Sequence, residues 1–209
     1  MEAHKFLVET DVAAIASAET VTANAKGRTR RAIAGGREFL VAPLTLIVPG
    51  VLNGSKGRLY YPLEEVAADP AAWNDIPITA YHPRAKDGSP LSATDPQVWQ
   101  SQGIGAVKNA WANGKLQAEG WFDAELTRQV DPRIYNALKR NQPIELSTGL
   151  YTDNDPAPAG AAWNGQPYDY IARNYRPDHL AVLPDEKGAC SLDDGCGVLI
   201  NSKKPDCPT

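Results

Sequence analysis

One dipeptide constrains this chain more than any other feature: Asn113-Gly114, set between Gly103–Trp111 and Lys115–Phe122, two runs with alternating apolar residues. A tight hairpin turn needs positive φ at its centre, and Asn and Gly adopt it at little steric cost. The pair therefore predicts a β-hairpin. Other runs read as strands as well. Ala42–Leu52 is rich in β-branched residues and punctuated by Pro and Gly, and Arg58–Tyr61 follows the turn cluster Asn53–Gly57. Asp75–Tyr81 ends at His82-Pro83, while Pro143–Thr152, Tyr168–Tyr175 and the short His179–Leu183 complete the set. Helix signals are few. Pro62 can open a turn over Leu63–Ala68, and Ala124–Asn141 is helical but broken at Pro132, with Ile134, Tyr135 and Leu138 along one face. About seven strands, one or two helices and a long loop at Arg84–Gln102 predict a mostly β, α+β fold. The expected architecture is a partly closed antiparallel β-barrel.

A chain of 209 residues is enough for one domain with tails. Residues 1–38 are poor in aromatics and read as a flexible leader with one short strand at Lys5–Val8. The folded domain spans 39–184, and 185–209 reads as an irregular tail. The basic cluster Lys26, Arg28, Arg30, Arg31 and Arg37 reads as a solvated, mobile arm. A net charge of −4 with no basic stripe interleaved with aromatics gives nucleic-acid binding little support. The longest apolar runs, near Leu44–Leu52, fall far short of the roughly 20 residues of a spanning helix, and no membrane is expected. Glu9 and Asp11 interrupt what would be the apolar core of a signal peptide. Three cysteines, Cys190, Cys196 and Cys207, all stand near the C-terminus. Their odd number reads as plain thiols in a reducing cytoplasm, and no CxxC pair or nearby histidine supports a zinc site.

Motifs for several chemistries are missing. There is no Walker loop, Gly103-Ile-Gly105 opens a strand and not a helix, no serine stands in GxSxG, and there is no HExxH. What remains is the histidines: His4 in the leader, His82 at a strand end and His179 at the start of the last strand, with Ser147 mid-strand between the latter two. A serine hydroxyl attacks only when a neighbouring imidazole can take its proton. That imidazole needs a third group to fix its tautomer. A carboxylate serves well. A second imidazole serves without a full negative charge, which predicts a slower enzyme suited to cutting a few bonds once.

Here the residues resemble a known family. The order Leu46-Ile-Val-Pro-Gly-Val-Leu52, Tyr61-Pro-Leu-Glu-Glu-Val66, Pro77-Ile-Thr-Ala-Tyr-His82-Pro, Gly103-Ile-Gly-Ala-Val107, Gly114-Lys-Leu-Gln-Ala-Glu119 and Glu145-Leu-Ser147-Thr-Gly149 is similar to the prohead maturation proteases of tailed bacteriophages. More distantly it resembles the herpesvirus assemblins, over roughly Leu44 to Pro184. The resemblance implies a herpesvirus-protease-like fold and a serine endopeptidase, with Ser147 as nucleophile, His82 as general base and His179 as the third member. Asp178 is the alternative for that third place, because neighbours on a strand face opposite ways and only one can serve. For the oxyanion hole the sequence names no donor: backbone N–H groups near Ser147, or an arginine such as Arg173 or Arg176, could serve, with those arginines read first as structural or surface groups. The implied substrates are a scaffold protein or the chain's own scaffold region, the chain itself and the major capsid protein. The implied location is the immature capsid in the host cytoplasm, and a homodimer is one expected state. No cofactor is expected. The family continues into a scaffold-like region, so a chain stopping at Thr209 reads as trimmed or self-processed, and the leader as a self-cleavage region. The competing expectation is an inactive capsid-assembly or scaffold module that keeps the fold.

Overall fold

The computed structural model of the chain describes residues 27–54 and 57–199. The strand expected at Lys5–Val8, the leader up to residue 26 and the cysteine at 207 lie outside the described residues. Gly35 and Gly36, at φ +54° and +74°, make the two-residue turn between β1 (Arg30–Ala34) and β2 (Arg37–Ile47). Two positive φ values are what such a turn requires. This hairpin takes up residues 30–38, which the sequence assigned to a flexible leader. Three arginines of the expected mobile arm are ion-paired in it: Arg30 with Glu119, Arg31 with Glu38 and Arg37 with Asp123.

β3 (Gly50–Gly54) and β4 (Gly57–Tyr61) follow, so the run read as one strand over Ala42–Leu52 is divided around Pro49. Pro62 opens α1 (Leu63–Val66), a 3-10 turn covers Pro70–Trp73, and β5 (Pro77–Ala80) leads to Tyr81. α2 (Pro96–Gln102) sits inside the expected loop; the Asp95 carboxylate caps it by accepting from the Gln97 N–H. The Asn-Gly signal holds: β6 (Gly103–Ala112) and β7 (Leu116–Asp123) pair across residues 113–115. Pro132 divides the expected helix into α3 (Ala124–Val130) and α4 (Pro132–Arg140). Asp131 caps the second, and Asn141 ends it in the left-handed conformation at φ 54°. β8 (Glu145–Pro156), the ribbon of β9 (Ala162–Trp163) and β10 (Gln166–Pro167), β11 (Tyr170–Leu183) and β12 (Gly197–Val198) complete the described chain.

The fold is mostly β with few helices. Ten strands share one sheet, ordered β1-β2-β7-β6-β5-β11-β4-β3, with β8 beside β11 and β12 beside β2. The sheet is not the antiparallel barrel expected. It is mixed, because β11 runs parallel to both β4 and β5, and it does not close. Only the two-residue β12 stands between β2 and β8. It pairs with β2 at Val198↔Leu44 and meets the chain before β8 through a single bridge, Ile144↔Val198. The segments read as separate strands at Tyr168–Tyr175 and His179–Leu183 are one strand, β11. The irregularity at Pro177 is absorbed as a bulge in its ladder with β8 rather than ending it.

The same strand positions the site. β8 runs along one edge of β11 for its whole length. β4 and β5 therefore share the other edge, β4 at Tyr170–Ile171 and β5 at Leu180–Val182. The stretch between them is left without a strand partner there, and a cavity opens beside it. Beneath lies one apolar core in which Leu44, Ile78, Ile104, Phe122, Leu138, Leu146 and Leu180 are fully buried.

Candidate active site

Strand register brings the expected residues to one face. Ser147 on β8 is paired with Ala181 on β11, and Gly149 with His179. Partners across a ladder, and residues two apart along a strand, share a face. Ser147 and His179 are thus diagonal neighbours. A Cβ at Gly149 would lie 2.1 Å from His179 Cε1, so the imidazole occupies the space that any other residue at 149 would fill.

His179 is buried, with both ring nitrogens engaged. Nε2 lies 2.8 Å from His82 Nδ1, and Nδ1 lies 2.7 Å from Asp178 Oδ2. The second contact corrects the expectation that Asp178 and His179 point to opposite faces. Adjacent residues on a regular strand diverge, but the ladder between Pro177 and His179 is bulged, and the bulge turns the Asp178 carboxylate back onto its neighbour's ring. Pro177 was the signal for it, since proline cannot donate to a ladder and collects at edges and bulges. Asp178 accepts in addition from the Ser92 hydroxyl and from the Ala93 N–H at 3.0 Å. Burial alone would raise its pKa, yet these bonds and the one to His179 hold it below the ordinary carboxylate range.

An ionised Asp178 fixes the proton on the ring nitrogen beside it. A carboxylate only accepts, so His179 Nδ1 carries a proton, and the uncharged form of the ring then has its lone pair at Nε2. His82 must then donate from Nδ1, which leaves a lone pair on His82 Nε2. That is the tautomer a general base needs. Burial foremost, then the neighbouring His179 and Arg84, lowers the His82 pKa to about 4. At neutral pH the ring is uncharged.

His82, His179, Asp178 and Ser147 line one cavity of about 440 Å³, whose apolar wall includes Leu52, Leu59 and Leu150. Among the described residues no hydrogen bond joins Ser147 to His82; apo geometry of this kind often tightens only around a substrate. Of the two arginines weighed for the oxyanion hole, Arg176 lines the cavity, with its guanidinium held by Asp153 at 2.9 Å. Arg173 is ion-paired with Glu64, Glu65 and Asp155 and is not among the lining residues.

The remaining wall comes from the segment after β11. Cys190 lines the cavity and is disulfide-bonded to Cys196, against the expectation of plain thiols. Six residues apart, the two meet across a local turn closed by the Cys196 N–H donating to the Ser191 carbonyl at 3.0 Å, and Glu145 holds that turn against β8, accepting from the Leu192 N–H at 3.2 Å. Sequence reasoning missed Ser92 and Gly149 as well; short polar or small residues in loops and strands carry no signal of their own. Among the described residues no three His, Cys, Asp or Glu side chains are grouped to hold a metal ion.

Fold and site together define a mostly β protein, with a carboxylate–imidazole–imidazole line beside a serine in one cavity. Compared with protein-family models, with curated proteins and with solved structures, the chain finds no match in any of the three.

Proposed function

We propose that this protein is a serine endopeptidase of the prohead-maturation kind, related in fold to the assemblins. On this reading it cleaves scaffold and capsid proteins, and itself, inside an immature viral capsid. One observation carries the reading: the hydrogen-bonded line from Asp178 through His179 to His82, in a cavity that Ser147 also lines.

The steps follow from the tautomers. Ser147 Oγ attacks the scissile carbonyl while His82 Nε2 takes its proton. The positive charge that forms on His82 is met by the lone pair of His179 and, one ring further, by Asp178. His82 then returns the proton to the leaving amine, and water repeats the sequence to release the acyl group. Beyond Leu146, whose carbonyl Gly188 packs against, β8 has no strand partner on its outer edge among the described residues. An extended peptide can add there, as substrates do on exposed sheet edges.

The missing bond between Ser147 and His82 is the observation that favours the second reading, an inactive assembly module. A fluorophosphonate probe and intact mass over time decide between them, on wild type and Ser147→Ala. Labelling and self-trimming of wild type alone are the expected result. Absence of both from wild type makes the inactive module the better reading.

A further inference from the structure

The chain reaches His82 through a strained residue. Tyr81 has φ +64°, in the left-handed region where a bulky side chain is an outlier. Register shows what this does. Thr79, Ala181 and Ser147 form one row across β5, β11 and β8. Since β5 runs parallel to β11 with Ala80 level with Val182, a straight continuation would bring position 82 level with Pro184. That is five residues, about 16 Å, beyond His179, with the side chain on the opposite face from Thr79. Yet the two imidazoles are 2.8 Å apart. The chain must leave the strand at Tyr81 and return over the sheet face.

Three elements hold that turn. The Tyr81 N–H makes the last sheet bond, to the Val182 carbonyl at 3.1 Å, and the buried Thr79 hydroxyl donates to the Tyr81 carbonyl at 2.8 Å. The phenol donates to Asp185 Oδ1 at 2.5 Å and accepts from Arg133 Nη2 at 2.6 Å. Arg133 is braced against Asp131, the cap of α4, at 2.6 Å. We infer that Tyr81 is a positioning residue whose left-handed turn, locked by Thr79 and by the Arg133–Asp185 clamp, delivers His82 to His179 and Ser147. Its catalytic consequence rests on the endopeptidase reading; its geometric content does not.

Two substitutions separate a turn from mere packing. Glycine accepts positive φ freely, whereas valine does not. If Tyr81 only packs, Tyr81→Val is the milder change because it keeps more side chain. If Tyr81 positions His82, Tyr81→Gly is the milder, with kcat for Tyr81→Val lower by at least about 30-fold and KM within about 3-fold, as expected when a catalytic group is misplaced. Alongside, the His82 imidazole is titrated by NMR. Its low value should move back toward the ordinary histidine range in Tyr81→Val and less in Tyr81→Gly. Equal or reversed kcat overturns the inference. If no form of the protein cleaves peptides, the titration alone decides, and an unmoved His82 in Tyr81→Val overturns it. Should Tyr81→Val not fold, Tyr81→Asn and Tyr81→Thr repeat the comparison, because Asn tolerates the left-handed region and Thr does not.

Discussion

Gly149 gives the site its most restrictive single position. Its missing Cβ is where the His179 ring lies, 2.1 Å from Cε1, and the backbone there is held in the ladder with β11. Neither side can retreat without breaking hydrogen bonds. Gly149→Ala is therefore expected to push His179 off both His82 and Asp178. Overpacking of this kind costs about 1–3 kcal/mol of stability. The loss of alignment should lower kcat on the order of 10²-fold. A thermal melt beside steady-state kinetics checks this; a variant with wild-type kcat would show that His179 does not need its present place. The same glycine illustrates what a sequence conceals. His82 and His179 stand out because the chain has only three histidines, and Ser147 through the resemblance carried by its motif. Gly149 serves by what it lacks.

The bulge in β11 is the element-scale feature on which the proton arrangement depends. A regular strand would point Asp178 and His179 to opposite faces. The extra residue between Pro177 and His179 puts both on one line, and Ser92 and Ala93, from the loop before α2, hold the carboxylate there. Asp178→Asn tests this. The Ala93 N–H and His179 share one carboxylate oxygen, and a backbone N–H only donates, so the amide oxygen takes that place and the amide NH2 donates to the Ser92 hydroxyl: the tautomers are kept and only the charge is lost. On the endopeptidase reading the expected loss in kcat is on the order of 10-fold, from the missing charge, well short of the ~10⁴ seen when replacing a carboxylate leaves the base in the wrong tautomer. Nitrogen-15 shifts of the two imidazoles report the tautomers directly. An unchanged kcat would remove the Asp178 charge from the mechanism, and a changed tautomer would show that the Ala93 bond does not hold the amide oxygen in place. Strand existence was legible in the sequence at β6 and β7, from the alternating runs around Asn113-Gly114, and at β5 and β8, from extended runs. The bulge was not, because its consequence depends on which strand lies opposite.

Over the molecule as a whole, burial of His82 sets the pH response. Its pKa lies at about 4, below the ordinary histidine value of 6.5. A protonated His82 cannot accept from Ser147, so kcat/KM should rise with pH through about 4 and level off above it. Stability moves the same way. Between 6.5 and about 4 the unfolded chain binds a proton at this position that the native state refuses, so unfolding becomes easier as pH falls through that window. His82→Gln should flatten that part of the stability curve, measured by denaturant melts at pH 4.5 and 7; an unchanged slope would assign it to other groups. The amino-acid sequence by itself determined the β-rich class, the Asn113-Gly114 hairpin, the helix break at Pro132 and the identity of the serine and histidines. These depend on local backbone preference and on side-chain chemistry, which a sequence states outright. Only the tertiary structure decided that the sheet stays open and mixed, that Asp178 joins His179 instead of replacing it, that Cys190 meets Cys196, and that the chain doubles back at Tyr81. Each depends on which distant strand lies alongside and in what register, and those pairings are set by packing summed over the whole core.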